Sequence, residues 1–211
     1  MVPALVLCTV LAGAGPAIAQ SSDAPIGPFV IDVRGALVPF GQDPTIAAHI
    51  GVLPTDMPKL GLGLNVGGHW YFLRWKAITF GVGALLHMSS AEHQRPADSE
   101  LGIVVGPLIR TAIRTVVPQL SFNFGGRDGW SYLSGGISNV RLNLTKNGVE
   151  QPTVPTQTIN YGGGARWFVK PHLAFNLDLR FYAMNPVPAA VDAIGQPRMT
   201  IMAFSAGVSI K

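Results

Sequence analysis

The sequence predicts an all-β protein, one antiparallel up-and-down barrel of eight strands whose apolar side faces outward. Three observations carry that prediction. Bulky apolar residues recur at every second position in eight separate segments, the period of a half-exposed strand. The positions between them hold mostly Gly, Ser, Asn, Thr and Ala, with few charges, where a water-facing sheet would carry Lys and Glu. The links between segments alternate short and long.

The first segment, 29–37, sets Phe29, Ile31, Val33 and Leu37 against Asp32 and Arg34. The second, 60–72, opposes Leu60, Leu62, Leu64, Val66, Trp70 and Phe72 to Asn65, His69 and three glycines. The third, 78–88, places His87 among small residues, opposite Ile78, Phe80, Val82 and Leu86. The fourth, 116–124, opposes Leu120, Phe122 and Phe124 to Gln119, Ser121 and Asn123.

The fifth segment, 130–142, alternates poorly around Gly135-Gly136, where a bulge that switches faces is expected. The sixth, 158–169, sets Ile159, Tyr161, Trp167 and Val169 against Asn160 and Arg166. The seventh, 173–182, reads "LAFNLDLRFY", with Asn176, Asp178 and Arg180 between Phe175, Leu177, Leu179 and Phe181. The eighth, 200–210, opposes Met202, Phe204, Val208 and Ile210 to Ser205, Gly207 and Ser209.

Short links follow the second, fourth and sixth segments, and long ones, 38–59, 89–114, 143–157 and 183–198, follow the others. Within the first long link, Asp43-Pro44 suits the N-cap and first residue of a short helix reaching about Ile50. In the second, the apolar run "LGIVVGPLIRTAI" fits an extended fourth strand, a lid over the barrel mouth or a plug within it.

Composition places this barrel in a membrane. Only 12% of the 211 residues are charged, against about 25% in an ordinary soluble domain, and mean hydropathy is +0.33. After residue 20 no run reaches the roughly 20 consecutive apolar residues a membrane helix needs. Hydrocarbon offers no hydrogen bonds, so a spanning sheet must close on itself and point apolar residues outward. Short turns on one side and long loops on the other complete the layout, with the turns periplasmic and the four loops extracellular.

The opening "MVPALVLCTVLAGAGPAIAQ" has an apolar core, helix breakers and an Ala-Ile-Ala site, so residues 1–19 are expected to be a secretory signal cleaved after Ala19. Residues 20–26 then form a short linker and 27–211 the barrel. Cys8, the sole cysteine, leaves with the signal, which excludes disulfides and thiol chemistry from the exported chain. The net charge of +4 is scattered along the chain, so no nucleic-acid partner is expected.

The inward positions nominate a site. The first and seventh strands both flank the eighth on closure, and each delivers an Asp and an Arg to the lumen. Asp32, Arg34, Asp178 and Arg180, with Arg166 from the sixth strand, are expected to form one charge network, because buried charges persist when paired. Asn65, His69, His87, Gln119, Asn160 and Asn176 are expected to line the same lumen. Trp70, Phe72, Phe124, Trp130 and Trp167 are expected at the membrane interface, where aromatic girdles sit. The two histidines lack a third ligand at matching depth, so neither metal nor other cofactor is expected.

Two resemblances add to this reading. "HMSSA" at 87–91 is similar to the His-x-Ser-Asn-Ala motif of outer-membrane lipid A deacylases, which would make Ser89 a nucleophile and His87 its base. It departs where Ser90 replaces Asn, and here His87 is read as pointing inward. Over 27–211 the chain resembles small eight-stranded bacterial outer-membrane barrels of the OmpA and OmpX type. "GPFVIDVRGAL", "GLGLNVGGHWYF", "RDGWSYLSGG", "YGGGARWFVKPHLAFNLDLRFY" and "FSAGVSIK" carry that resemblance. It implies a bacterial outer-membrane protein that meets lipid and lipopolysaccharide and is inserted by the barrel-assembly machinery. The aromatic last residue common in that family is replaced by Lys211. The expected role is structural or surface interaction through the loops, non-enzymatic, with the extracellular ligand left open. A narrow solute or ion channel is the alternative, and a lipid A-modifying enzyme the third.

Overall fold

The computed structural model describes residues 26–97, 104–191 and 193–211. The expected signal peptide, 1–19, and nearly all of the linker lie outside them. Eight long strands follow in order: β1 (Phe29–Pro39), β2 (Leu60–Trp75), β3 (Ile78–Gln94), β4 (Leu108–Gly126), β5 (Gly129–Lys146), β6 (Thr156–Lys170), β7 (Leu173–Met184) and β8 (Met199–Ile210). Each pairs antiparallel with the next, and β1 pairs with β8, so the sheet closes into an eight-stranded up-and-down barrel. Among the described residues closure leaves none of the eight long strands at an edge, which is what allows such a sheet to sit where water is absent. A two-residue strand, Val149–Glu150, folds back on the end of β5.

At one end β2–β3, β4–β5 and β6–β7 are joined by two-residue turns, Lys76-Ala77, Arg127-Asp128 and Pro171-His172. Lys76 has φ 52°, the left-handed conformation a tight hairpin demands. The opposite end carries the long connections. Two of them are shorter than the sequence pattern suggests: β3 runs on to Gln94 and β4 begins at Leu108, and β5 runs on to Lys146 before β6 begins at Thr156. The apolar run at 101–113 therefore contributes Leu108–Ile113 to β4, while 101–103 lie outside the described residues.

In these extensions the alternation persists with its sense reversed. Ala91, Ile109, Ile113, Leu142 and Leu144 point inward and are buried, while Glu92, Arg110, Arg114 and Arg141 point outward and are exposed. Nearer the turns the outer wall is an apolar belt that includes Ile31, Val33, Leu62, Leu120, Phe122, Leu133, Ile159, Phe175, Leu179 and Phe204.

The face-switching bulge expected at Gly135-Gly136 is absent. The β5–β6 register runs without a shift from Gly129↔Trp167 to Val140↔Thr156, and even-numbered β5 residues point inward throughout. The alternation reads poorly because the inward side of β5 is itself apolar, with Trp130 and Tyr132 near the turn and Val140, Leu142 and Leu144 near the loops. Gly136 meets a different need, since a Cβ there would strike the carbonyl oxygen of Pro118 on β4. Bulges occur instead at Tyr71/Leu73 and Phe168/Lys170, beside the turns.

Buried side chains occupy both ends of the barrel. A hydrophobic core occupies the loop half, where Val38, Ile109, Ile113, Val117, Leu142, Leu144, Met184 and Ile201 meet Phe40, Ile46, Ala47 and Ile50 from the first loop. Ile46 and Ala47 belong to α1 (Pro44–His49), whose N-cap Asp43 accepts hydrogen bonds from Thr45 N (2.8 Å) and Ile46 N (3.1 Å). Lys146 Nζ donates to the carbonyls of Ile50 (2.7 Å) and Gly51 (3.2 Å) where α1 ends. Asp56 and Arg95 pair at 3.0 Å and tie the first loop to the second. At the turn end a smaller aromatic floor forms from Ile26, Val30, Tyr71, Trp130 and Phe168.

Candidate functional site

Between the apolar cap and the aromatic floor lies a polar layer. It is built by strand parity, because Asp32 and Arg34 on β1, Asp178 and Arg180 on β7 and Arg166 on β6 all occupy inward positions. Each is at most 2% exposed. Burying five charges demands mutual satisfaction, and the contacts supply most of it. Arg166 grips Asp32 with two parallel bonds, Nε to Oδ1 at 2.9 Å and Nη2 to Oδ2 at 2.6 Å. Asp32 Oδ1 also accepts from Ser209 Oγ at 2.6 Å and Asn176 Nδ2 at 3.2 Å.

The second carboxylate is held in the same way. Arg180 donates from Nε to Asp178 Oδ1 at 3.1 Å and from Nη2 to Oδ2 at 2.9 Å. Its remaining donors reach Asn160 Oδ1 at 2.8 Å and Ser134 Oγ at 2.9 Å. Arg34 lies between the two pairs, with Nη1 at 3.3 Å from Asp178 and Nη2 at 3.8 Å from Asp32.

Three guanidinium groups against two carboxylates leave one positive charge, and a residue absent from the sequence-level site helps to absorb it. Tyr132 accepts from Arg34 Nη1 at 2.6 Å and donates to Asp178 Oδ2 at 2.7 Å. The face of its ring also lies 4.0 Å from the Arg166 guanidinium carbon, a cation–π contact. The ring needs room, and Gly164 on β6 provides it, since a Cβ at that position would come within 2.7 Å of the Tyr132 hydroxyl oxygen. The alternation does not nominate Tyr132, because the face switch expected at Gly135-Gly136 lies on its strand; the unbroken parity of β5 places it inward.

The predicted polar residues surround this network. Gln119 Nε2 donates to Asn160 Oδ1 at 2.8 Å, and Asn176 Nδ2 to Ser209 Oγ at 2.5 Å. His69 is buried nearer the floor, with neither ring nitrogen bonded to protein. His87 Nδ1 lies 2.5 Å from Asn65 Oδ1, and its Nε2 lies 3.0 Å from Ser89 Oγ. This is the order of an oriented Ser–His pair. Ser89 is 6% exposed and His87 fully buried, and the His87 ring packs on Tyr182 at 4.9 Å below the apolar cap. Among the described residues no three His, Cys, Asp or Glu side chains gather as a metal site.

Of the expected interface aromatics, Trp70, Phe72, Phe124 and Trp167 point outward and are 39–59% exposed. Trp130 does not belong with them. It is 3% exposed and faces the lumen, edge-on to Tyr71 at 6.0 Å and stacked on Phe168 at 5.0 Å. The reason is parity, because Trp130 shares its side of β5 with Tyr132 and Ser134. Trp75, at 61% exposure, is a further exposed Trp beside Trp70 and Trp167. Lys211 closes the floor from below, with its ammonium 3.6 Å from the Phe168 ring centre and donating to the carbonyl of Arg127. Partial burial, with Arg127 adding to it, holds the Lys211 pKa below the ordinary lysine value.

No protein-family model matches this chain, and no curated protein sequence matches it. Solved structures do. Neisserial surface protein A (NspA) superposes with a TM-score of 0.54 at 12% identity, over 88% of this chain and 97% of that one. The attachment invasion locus protein Ail of Yersinia pestis, solved with the heparin analogue sucrose octasulfate, gives 0.47 at 11% identity, over 86% of this chain and 95% of that one. Ail solved without the analogue gives 0.41 at 14% identity over the same shares. The fold is that of the small eight-stranded outer-membrane barrels.

Proposed function

We propose that this chain is a non-enzymatic outer-membrane barrel that anchors a packed loop surface at the cell exterior, with a sealed lumen. The observation that carries the proposal is the three-layer filling. An apolar core below α1, the Asp32–Arg166 and Asp178–Arg180 network, and the Trp130–Phe168 floor succeed one another along the axis. A conducting pore needs a continuous wet path, and the loop-side core interrupts it with buried hydrocarbon. The outward apolar belt, rimmed by exposed Trp70, Trp75 and Trp167, supports insertion in a bilayer.

Folded protein in planar bilayers is expected to give no single-channel steps, and R180Q is expected to create none. Reproducible conductance that changes on neutralising Arg180 would replace this reading with the channel. The hydrolytic reading has one favourable observation, the His87–Ser89 contact oriented by Asn65. Ser89 lies beneath packed side chains, and the geometry gives an acyl ester no approach to it.

A further inference from the structure

Above the apolar belt, the β4–β5 ladder places two arginines face to face. Arg114 and Arg141 are direct cross-strand partners, both outward and both exposed. Like charges directly opposite one another on a sheet repel, the reverse of what sheets normally select. Their surroundings on this face do nothing to relieve it. The neighbours along the two strands are Ala112, Val116, Asn139 and Asn143, and the β3 partner of Arg114 is Met88. Among the described residues neither arginine has a carboxylate within ion-pair distance.

A third arginine shows the contrast. Arg110, four residues further from the belt on the same face, stands directly opposite Glu92 on β3. The strand beside it, β5, offers Thr145, whose own partner is Glu150. Arg110 thus has one acid directly opposite in the ladder and a second one strand beyond, without a closed ion pair to either, and the pair below it has no acid at either distance. The uncompensated pair is also the one at the edge of the hydrocarbon belt, since exposed Val116 follows Arg114 by two residues and exposed Ile137 lies four before Arg141.

We infer that Arg114 and Arg141 form a site for the phosphate of an outer-leaflet lipid headgroup, which inserts between the two guanidinium groups. The inference rests on the outer-membrane reading above. Guanidinium is the side chain best shaped for phosphate, binding two oxygens in parallel. A phosphate shared by the pair converts repulsion into two charge-assisted contacts. Its lipid chains would lie along Val116 and Ile137, which selects a membrane-anchored phosphate over one free in solution. Lipopolysaccharide carries its phosphates at this depth and is the occupant we assign.

The test is a reversal of sign. In uncharged detergent micelles without phospholipid or lipopolysaccharide, R141Q removes repulsion and raises the midpoint of thermal unfolding by about 1–3 °C. With purified lipopolysaccharide added, the same variant unfolds below wild type by a similar margin, and R114Q/R141Q loses most of the stabilisation that lipopolysaccharide gives wild type. R110Q keeps that stabilisation, which separates a defined site from general attraction to a basic rim. Dephosphorylated lipopolysaccharide gives none of it, and inorganic phosphate at equal concentration gives little. If R141Q shifts stability in the same direction with and without lipopolysaccharide, or R110Q loses as much as R141Q, the site does not exist. If inorganic phosphate alone reproduces the effect, the lipid assignment is wrong. Failure of wild type to insert into vesicles would sink the outer-membrane reading instead, and is scored separately.

Discussion

The two halves of this barrel obey opposite rules. In the turn half, Phe175, Leu177 and Leu179 face out while Asn176, Asp178 and Arg180 face in. In the loop half of β4, Ile109 and Ile113 face in while Arg110 and Arg114 face out. The same strand, β5, carries inward Tyr132 and Ser134 below and inward Leu142 and Leu144 above. No register shift in β5 separates the regimes, and its pairing with β4 pauses between Arg114↔Arg141 and Leu120↔Gly135. The difference teaches that strand parity sets which side chains share a wall, whereas the solvent around each level decides which wall must be oily. Where hydrocarbon surrounds the barrel, the inside is the polar refuge. Where water surrounds it, burial of apolar surface drives packing as in any soluble domain.

The contrast breaks most readily at the charged layer. Asp178→Ala leaves Arg34, Arg180 and the Tyr132 hydroxyl without their shared acceptor, and removing one partner of a buried pair costs about 3–5 kcal/mol. Urea unfolding of micelle-refolded protein, followed by tryptophan fluorescence, is the measurement. A loss below about 1 kcal/mol would mean that water already screens this layer.

The outer wall offers the next test. Arginine placed at Leu179, within the belt, should cost about 2–4 kcal/mol, and at Asn139, beside the natural arginines, about 0–1 kcal/mol. Equal costs would erase the boundary between the halves. The smallest effect belongs to the cap. Asp43→Ala removes the acceptor for Thr45 and Ile46 and should cost about 1 kcal/mol, seen as faster protease nicking in the 40–59 connection with the barrel intact.

Much of the turn half was legible from residues alone. Alternation identified eight strands, and the shared parity of Asp32 with Arg34 and of Asp178 with Arg180 brought both pairs to one lumen. Residue types then implied pairing, although not which arginine would hold which carboxylate. Asp32 is gripped by Arg166 from β6, and its neighbour Arg34 remains 3.8 Å away, a choice made by side-chain reach across the lumen.

The loop half is harder to read because apolar residues there face inward, the reverse of the belt. Residues 109–115 and 140–144 keep their period but reverse its meaning, so they read as loop or as a fault in the strand. Trp130 follows the same reversal, an aromatic that faces the lumen near the turns. A large aromatic inside a narrow barrel needs facing space, and that comes from positions distant in sequence, which no local pattern records. Counting parity outward from Tyr132 without regard to hydropathy would have recovered both Trp130 and the upper core.

The exposed residues Glu92, Arg110, Arg114 and Arg141 have a mechanical consequence. They stand on rigid ladder rather than on loops, so their height above the belt is set by covalent spacing along the strands. Lys76, Arg127 and Lys170 border the opposite end. Sliding along the membrane normal in either direction would drag charge toward oil, at a cost that climbs with depth. The barrel therefore floats at a fixed draught, and the bilayer must adjust its thickness to the protein.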